Sequence, residues 1–360
     1  MIPTFPRLLS GGLITTYACT SRCGHCLYRC GPWREKRHID RATTEAVLRR
    51  VRELGPRSVH VGGGEPLLDP NTVAMVLEVA AGLDMSVEYV ETNSSWFRDL
   101  ESAREMLVSL KRRGLRTLLI SISPFHAAHV PLAKVKGVLE ACRLAGIGIF
   151  PWRMEFLADI EALAARGGWM SAMTGVEMSA KPGGETGGGT GVGKAGEART
   201  YSLEDFEAAF GPGYLERVPD RYWVRLAGRA LDTFGPLKPH WAAAEILARN
   251  LGGCRDLLAT DHFHVDLDGN YIPGLCAGLA VCVEDLGRPL DPRRYPLVTT
   301  LAAEGVAGLL ALAEREYGFV PSDQGYLGAC DLCETLRRFL VIDAGVDSSE
   351  LRPREFYQHA

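Results

Sequence analysis

Short apolar, β-branched segments alternate with longer helical segments through the first half of the chain. This alternation limits the possible folds more than any other property of the sequence. The strand-like segments lie at 13–18, 58–63, 85–93, 116–123 and 146–152. Consecutive strands joined by helices pair in parallel, because the crossover returns the chain to the same end of the sheet. The sequence therefore predicts an α/β domain with functional residues at the carboxyl ends of its strands.

Composition excludes two classes of partner. The net charge of −4 argues against non-specific binding to nucleic acid or to an anionic membrane, since both require a basic face. We see no run of about 18 apolar residues and no secretory signal, which predicts a cytoplasmic protein with reduced thiols. The 10 cysteines then fit metal ligands or reactive groups better than disulfides.

Three cysteines with the spacing C-x3-C-x2-C, Cys19, Cys23 and Cys26, follow the first strand. Three thiolates in one loop suit three irons of a [4Fe–4S] cube and leave one iron open to a substrate or cofactor. Zinc is the alternative, because it takes four ligands and Cys30 could supply the fourth. The second strand ends in a run of glycines, and Gly63–Pro66 there reads GGEP.

The cysteine loop and the GGEP sequence, at the ends of consecutive strands, together resemble the radical S-adenosylmethionine (SAM) superfamily over about residues 10–155. The resemblance implies a partial (βα)6 barrel in which Cys19, Cys23 and Cys26 hold a SAM-binding [4Fe–4S] cluster. It also implies reductive cleavage of SAM to a 5′-deoxyadenosyl radical that abstracts hydrogen from a substrate. A donor such as flavodoxin or ferredoxin would supply the electron.

The resemblance assigns roles to residues that would contact SAM. A clamp on the SAM amino group is expected from Gly63, Gly64, Glu65 and Pro66. Glycines let the backbone approach the cofactor, and a carboxylate can pair with an ammonium. Polar contacts are expected from Asn93, Ser121 and Ser123, although a strand-end Asn or Ser is as often a turn or cap residue. Arg153, after the fifth strand, could bind a carboxylate of SAM or substrate through both guanidinium nitrogens.

A second set of cysteines lies beyond residue 200 and consists of Cys254, Cys276, Cys330 and Cys333. Residues 262–276 read as a hairpin that turns at Asp268-Gly269-Asn270. This layout resembles the SPASM and twitch extensions of radical SAM enzymes, which carry auxiliary [4Fe–4S] clusters. One auxiliary cluster fits the number of cysteines better than two, and a zinc site is the alternative. Cys282 is expected to be an inert buried thiol, or else to replace Cys254.

The predicted organisation is a core domain at 1–200 and a C-terminal auxiliary iron–sulfur domain at 201–360. The core domain ends in a glycine-rich segment, 167–199, which is either a mobile lid or a surface linker.

The sequence allows more than one role for several single residues. Cys30 could be a loop thiol, a proton or hydrogen-atom donor, or a spare ligand, and His126 a proton donor or a loop residue. His262 and His264 share one face of a strand, which fits either a metal pair or sheet packing.

The predicted function is a radical SAM oxidoreductase or maturase whose auxiliary cluster accepts an electron or binds substrate. No peptide-binding wing precedes residue 10, which favours a small molecule or a compact protein target. A peptide-modifying maturase is the alternative. A zinc-stabilised binding protein, a methyltransferase and an RNA-modifying member have less support, because GGEP is intact and neither a cobalamin-binding nor an RNA-binding domain is visible.

Overall fold

A computed structural model describes residues 2–152, 155–174 and 197–358. The chain forms two compact units. The first comprises Met1–Val90, Arg113–Leu115 and Arg225–Ala360, and the second comprises Glu91–Arg112 and Arg116–Val224. The predicted α/β class with parallel strands and a C-terminal cysteine-containing extension is confirmed. The boundary near residue 200 stays a prediction.

The described strands agree closely with the apolar segments of the sequence. They are β1 (Ser10–Thr16), β2 (Ser58–Gly63), β3 (Ser86–Thr92), β4 (Thr117–Ser121), β5 (Gly148–Trp152), β6 (His262–Val265), β7 (Asn270–Ile272) and β8 (Val281–Cys282).

The helices of the first half follow the strands, as the alternation predicts. Together with those further along the described chain they are α1 (Arg41–Glu53), α2 (Pro70–Gly82), α3 (Leu100–Arg112), α4 (Pro124–Ala127), α5 (Leu132–Ala145), α6 (Glu155–Thr174), α7 (Leu203–Phe210), α8 (Tyr214–Tyr222), α9 (Arg229–Phe234), α10 (Ala243–Arg249), α11 (Pro296–Tyr317), α12 (Ala329–Ile342) and α13 (Glu355–Gln358).

In the first unit, β1 is the central strand of a parallel set. It pairs in parallel with β2 on one side and with β6 on the other. β2 also pairs in parallel with β3, whereas β6, β7 and β8 form an antiparallel meander. The predicted hairpin is confirmed, and Gly269 makes its turn with a φ of 76°. The C-terminal extension therefore contributes a parallel strand directly beside β1.

The second unit contains its own parallel pair. β4 pairs with β5 in the register Thr117↔Gly148, and α3 packs against α5. α6 continues to Thr174, so the start of the predicted glycine-rich loop is helical. The remainder of that loop, apart from 197–199, lies outside the described residues.

Side-chain caps explain where the crossover helices begin. Asp40 accepts a hydrogen bond from the Thr43 amide at the start of α1. Asp69 accepts one from the Asn71 amide at the start of α2, and Pro70 occupies the first helical position, where its missing amide proton costs nothing. Both helices thus start directly after the loops that follow β1 and β2.

One described helix, α11, is long and apolar enough by length and composition to cross a membrane, which the search for apolar runs missed. Half of its most apolar window is buried inside the protein, and Leu301 and Leu309 on it are almost fully buried. A core helix of this kind meets the same criterion as a membrane span. Gly305 bends α11 with a φ of 66°.

Candidate active site

The first cysteine group lies in the loop that follows β1. Cys19 and Cys23 are buried and Cys26 is half-buried. The loop folds back on itself through local bonds, because the amide of Cys26 donates to the carbonyl of Cys23 at 3.1 Å. The amide of Cys30 donates to the sulfur of Cys26 at 3.4 Å. The structure thus gathers the predicted ligands in one compact loop.

A buried arginine from α9 holds this loop in shape. The guanidinium of Arg229 donates to the carbonyls of Cys23 and Cys30, each at 2.8 Å. The Arg229 amide donates to the carbonyl of Cys26 at 3.1 Å. Gly228 comes so close that a Cβ there would lie 2.3 Å from the carbonyl oxygen of Leu27. Sequence reasoning missed Arg229, because nothing near it in the chain shows that it contacts a loop about 200 residues away.

A second arginine joins the first cysteine loop to the second cysteine set. Arg29 has a φ of 50° and is almost fully buried. Its guanidinium contacts Asp232 at 2.5 Å and Glu334 at 3.1 Å. The other carboxylate oxygen of Glu334, which directly follows Cys333, accepts from the Gly228 amide at 2.9 Å. The described structure therefore links both cysteine groups through one ion-pair network.

The GGEP segment packs against the backbone of the same loop. The amide of Gly64 donates to the carbonyl of Thr16 at 2.7 Å, and the amide of Glu65 donates to that of Ala18 at 3.0 Å. A Cβ on Gly64 would lie 2.0 Å from the Ala18 oxygen, so only glycine permits this approach. Glu65 is fully buried, and its carboxylate accepts from the Leu67 amide.

The thiols of the loop differ in acidity. Burial raises the pKa of Cys19 to about 12 and holds that of Cys23 well above its usual range. A hydrogen bond from Cys30, reinforced by the charge of Arg229, lowers the pKa of Cys26. Cys19 and Cys23 are therefore protonated at neutral pH until a metal replaces the proton.

The second cysteine set lines one cavity of about 440 Å³ in the first unit. Its lining includes Cys254, Cys276, Cys330 and Cys333. Cys282, the alternative ligand, is on β8 and does not belong to the described lining of this cavity. The structure thus brings together the four cysteines that the sequence grouped.

Glycines allow the three segments around this cavity to meet closely. A Cβ on Gly253 would lie 2.0 Å from the carbonyl oxygen of Ala302, and one on Gly274 would lie 2.1 Å from that of Asp256. Cys330 lies in the first turn of α12, where the helix dipole favours a thiolate, and Cys333 lies at the start of the second turn. Burial raises the pKa of Cys333, and the positive charge of buried Arg337 offsets part of that rise.

The spacing of the sulfur atoms bears on the zinc alternative. Ligands of a single zinc ion lie close together, with sulfur atoms roughly 3.8 Å apart. Among the described histidine, cysteine and acidic side chains, the group with three ligand atoms within 4.8 Å of one another is His60, His262 and His264. Neither cysteine set is among the described groups that meet that distance.

The three histidines lie on β2 and β6, the two strands that flank β1 in the first unit. Burial lowers the pKa of His60 to about 3 and that of His264 well below its usual value. Burial also lowers the pKa of His262.

The remaining predicted SAM contacts belong to the second unit. Asn93 accepts from the Ser95 amide at 2.8 Å, as a turn residue does. Ser123 caps α4 and its hydroxyl is 2.7 Å from Nδ1 of His126, whose pKa burial lowers to about 3. Ser121 ends β4. Arg153 lies outside the described residues. The SAM-binding roles of these residues stay predictions.

Comparison with known proteins matches part of this chain to a family. The model of the "Radical SAM superfamily" matches residues 13–147, which contain the cysteine loop and GGEP. A "PqqA peptide cyclase" of Gluconobacter oxydans (strain 621H) is 36% identical over 168 residues. That match covers 45% of this chain and 44% of the relative, so the chain spans less than half of the length of this curated relative.

Solved structures with some likeness include native anSMEcpe with bound AdoMet, which is 15% identical with a TM-score of 0.32 over 39% of this chain and 43% of that one. Another is Streptococcus suis SuiB bound to precursor peptide SuiA, 11% identical with a TM-score of 0.31 over 82% of this chain and 65% of that one. Similarity at these TM-scores supports no conclusion about the fold or the function of this chain. The family match and the cysteine loop it contains lead to one conclusion: residues 13–147 of this chain are similar to the radical SAM superfamily.

Proposed function

We propose that this chain is a radical SAM enzyme that modifies a peptide and carries one auxiliary iron–sulfur cluster. The observation that carries the proposal is the packing of GGEP onto the cysteine loop, within the residues that the family model matches. Members of this superfamily bind a [4Fe–4S] cluster and SAM, and their SPASM relatives carry auxiliary clusters. A cluster and SAM together supply a 5′-deoxyadenosyl radical.

The residues of the first site suit such a cluster. Cys19, Cys23 and Cys26 would hold it, because three thiolates from one compact loop can bind three irons of the cube and leave the fourth open. Arg229 would keep the loop in shape and favour thiolates with its positive charge. Glu65 would receive the ammonium of SAM close to the loop, since its charge acts on Cys19.

The residues of the second site suit an auxiliary cluster. Cys254, Cys276, Cys330 and Cys333 would form a complete set of thiolate ligands around the cavity of about 440 Å³. Arg337, which is buried against Cys333, would offset part of the negative charge of the thiolates. A full protein ligand set leaves no open iron, which suits an electron acceptor better than a substrate-binding site.

The comparisons support a peptide substrate over the small molecule that the sequence favoured. The relative that is 36% identical over 168 residues is a peptide cyclase. The predicted electron donor, flavodoxin or ferredoxin, and the cytoplasmic location are part of the proposal, because iron–sulfur thiolates require a reducing compartment.

Anaerobic reconstitution tests the two-cluster proposal directly. We expect about eight irons per chain in the wild type and about four in a triple variant, Cys19→Ala/Cys23→Ala/Cys26→Ala. With SAM and a chemical reductant, the wild type should form 5′-deoxyadenosine and the triple variant should form none. About four irons in the wild type and none in the triple variant would remove the auxiliary cluster from the proposal.

The substrate class needs its own comparison. A pool of synthetic peptides should raise 5′-deoxyadenosine formation above the rate without substrate, and some peptides should lose the mass of two hydrogens. The same amino acids supplied free are the matched control. If the free amino acids raised 5′-deoxyadenosine formation and the peptides did not, the substrate would be a small molecule and the peptide proposal would be wrong.

A further inference from the structure

Three histidines meet on one face of the sheet in the first unit. They come from segments about 200 residues apart, so the sequence alone does not show them as a group. His60 is on β2, and His262 and His264 are on β6, with β1 between them. Gly12 of β1 pairs in register with both His60 and His264. The two rings can therefore meet only across the backbone of β1.

Gly12 provides the room for that meeting. A Cβ at Gly12 would lie 2.4 Å from Nε2 of His60, closer than non-bonded atoms approach. Without that side chain, Nε2 of His60 and Nε2 of His264 come within 2.9 Å of each other. The strand thus carries a glycine at the one position where any side chain would separate the two imidazoles.

His262 completes the group. Its ring centroid is 5.4 Å from that of His60 and 5.1 Å from that of His264. One ring nitrogen from each histidine lies within 4.8 Å of those of the other two. Nitrogen ligands of tetrahedral zinc lie roughly 3.3 Å apart, so small side-chain rotations would bring all three to one ion. A hydrogen bond joins His60 to His264, and the ring of His262 stacks on that of His60 with the two planes 7° apart.

The surroundings orient these rings as ligands. The hydroxyl of Tyr28 is 2.6 Å from Nδ1 of His264, which leaves Nε2 directed at the other rings. His60 forms a hydrogen bond with the backbone of Gly11. Metal-binding histidines usually engage their second nitrogen with a neighbouring polar group, as Nδ1 of His264 does with Tyr28. Tyr28 lies between Cys26 and Cys30, so the cysteine loop itself contacts the histidine group.

The local charge favours a cation. The carboxylates of Asp261 and Glu88 act electrostatically on His262. His262 is half-exposed, which gives an ion a route to the group, whereas burial keeps His60 and His264 neutral. Three imidazoles also match the ligand set of open zinc sites, in which a fourth position takes water or another ligand.

We propose that His60, His262 and His264 form a mononuclear site for zinc, or for another divalent transition metal that prefers imidazole. The site is separate from both cysteine sets and leaves a coordination position open. It does not depend on the activity proposed above, and zinc binding is measured without SAM or substrate.

Zinc titration of the reconstituted, iron-loaded protein tests the site, because the cluster cysteines are then occupied. The wild type should bind one zinc per chain by calorimetry and elemental analysis, and a His262→Gln/His264→Gln variant should not. The matched control is His240→Gln, which removes an exposed histidine elsewhere in the unit and should bind as the wild type does. Equal zinc stoichiometry in the double variant and the wild type would overturn the proposal.

Two further measurements keep the proposal testable if the double variant does not fold. His262→Gln alone changes a half-exposed residue and should weaken zinc binding by at least about tenfold while the iron content stays at the wild-type value. Cobalt in place of zinc should give a spectrum without sulfur-to-cobalt charge transfer. An unchanged zinc affinity in His262→Gln, or charge transfer from sulfur, would assign the metal to other ligands.

Discussion

Removal of Arg229 should loosen the first cysteine loop more than any nearby surface change. Its guanidinium makes two charge-assisted hydrogen bonds, each 2.8 Å long, to the carbonyls of Cys23 and Cys30. Hydrogen bonds to charged groups contribute about 1.5–3 kcal/mol each, and a buried carbonyl that loses its donor adds a desolvation cost. Because the two bonds share one donor group and are not additive, we expect Arg229→Met to lower the free energy of unfolding by about 3–5 kcal/mol.

The assay is anaerobic urea unfolding of the reconstituted protein, together with the rate at which a chelator removes iron. Arg229→Met should unfold at lower urea and lose iron faster. Arg229→Lys keeps the charge but not the planar fork, so it should recover only part of the loss. Arg293→Met, at an exposed position, should stay within about 0.5 kcal/mol of the wild type.

A wild-type urea midpoint and a wild-type rate of iron loss in Arg229→Met would refute this reasoning. They would mean that the loop keeps its shape without either carbonyl bond. If instead Arg229→Lys behaved as the wild type, the charge alone would account for the effect and the fork geometry would not.

Three other outcomes are expected. Gly64→Ala should abolish 5′-deoxyadenosine formation, because the added Cβ would lie 2.0 Å from the Ala18 oxygen; product at the wild-type rate would contradict this close approach. Cys254→Ser should lower iron by about four atoms per chain, whereas Cys282→Ser should leave it unchanged, as iron analysis would show. Burial raises the pKa of Glu350 to about 7 in the folded protein, so its contribution to stability is largest below about pH 4 and declines as pH rises to 7; unfolding of Glu350→Gln should lack this decline.

Local pattern was enough to predict most of the elements. β2 has the predicted bounds, 58–63, because its apolar run ends sharply in glycines. The hairpin at β6 and β7 was predicted because Gly269 marks its turn. The two cysteine sets were found by residue type and spacing, and the structure brings the four distal cysteines to one cavity.

What could not be predicted depends on contacts between distant segments. The parallel pairing of β6 with β1 joins residues about 250 positions apart, and no local periodicity encodes it. The same holds for Arg29 with Glu334 and for the meeting of His60 with His264. In each case the residue type is common in a segment of that kind, so the sequence gives no sign of the contact. The partner is brought close only when the whole chain folds.

The buried contact between Arg29 and Glu334 has a consequence for how the protein acquires its metals. Arg29 lies between Cys26 and Cys30, and Glu334 follows Cys333, so their ion pair forms only when both cysteine segments are ordered. Without that pair Arg29 keeps Asp232, whereas the carboxylate of Glu334 loses its charged partner. A buried ion left without its partner costs about 3–5 kcal/mol. Loading of either cysteine site should therefore make the other easier to load, by the same factor in both directions. In iron titrations that follow one site at a time, prior loading of one cysteine site should raise the iron affinity of the other. In Glu334→Gln the two sites should load independently.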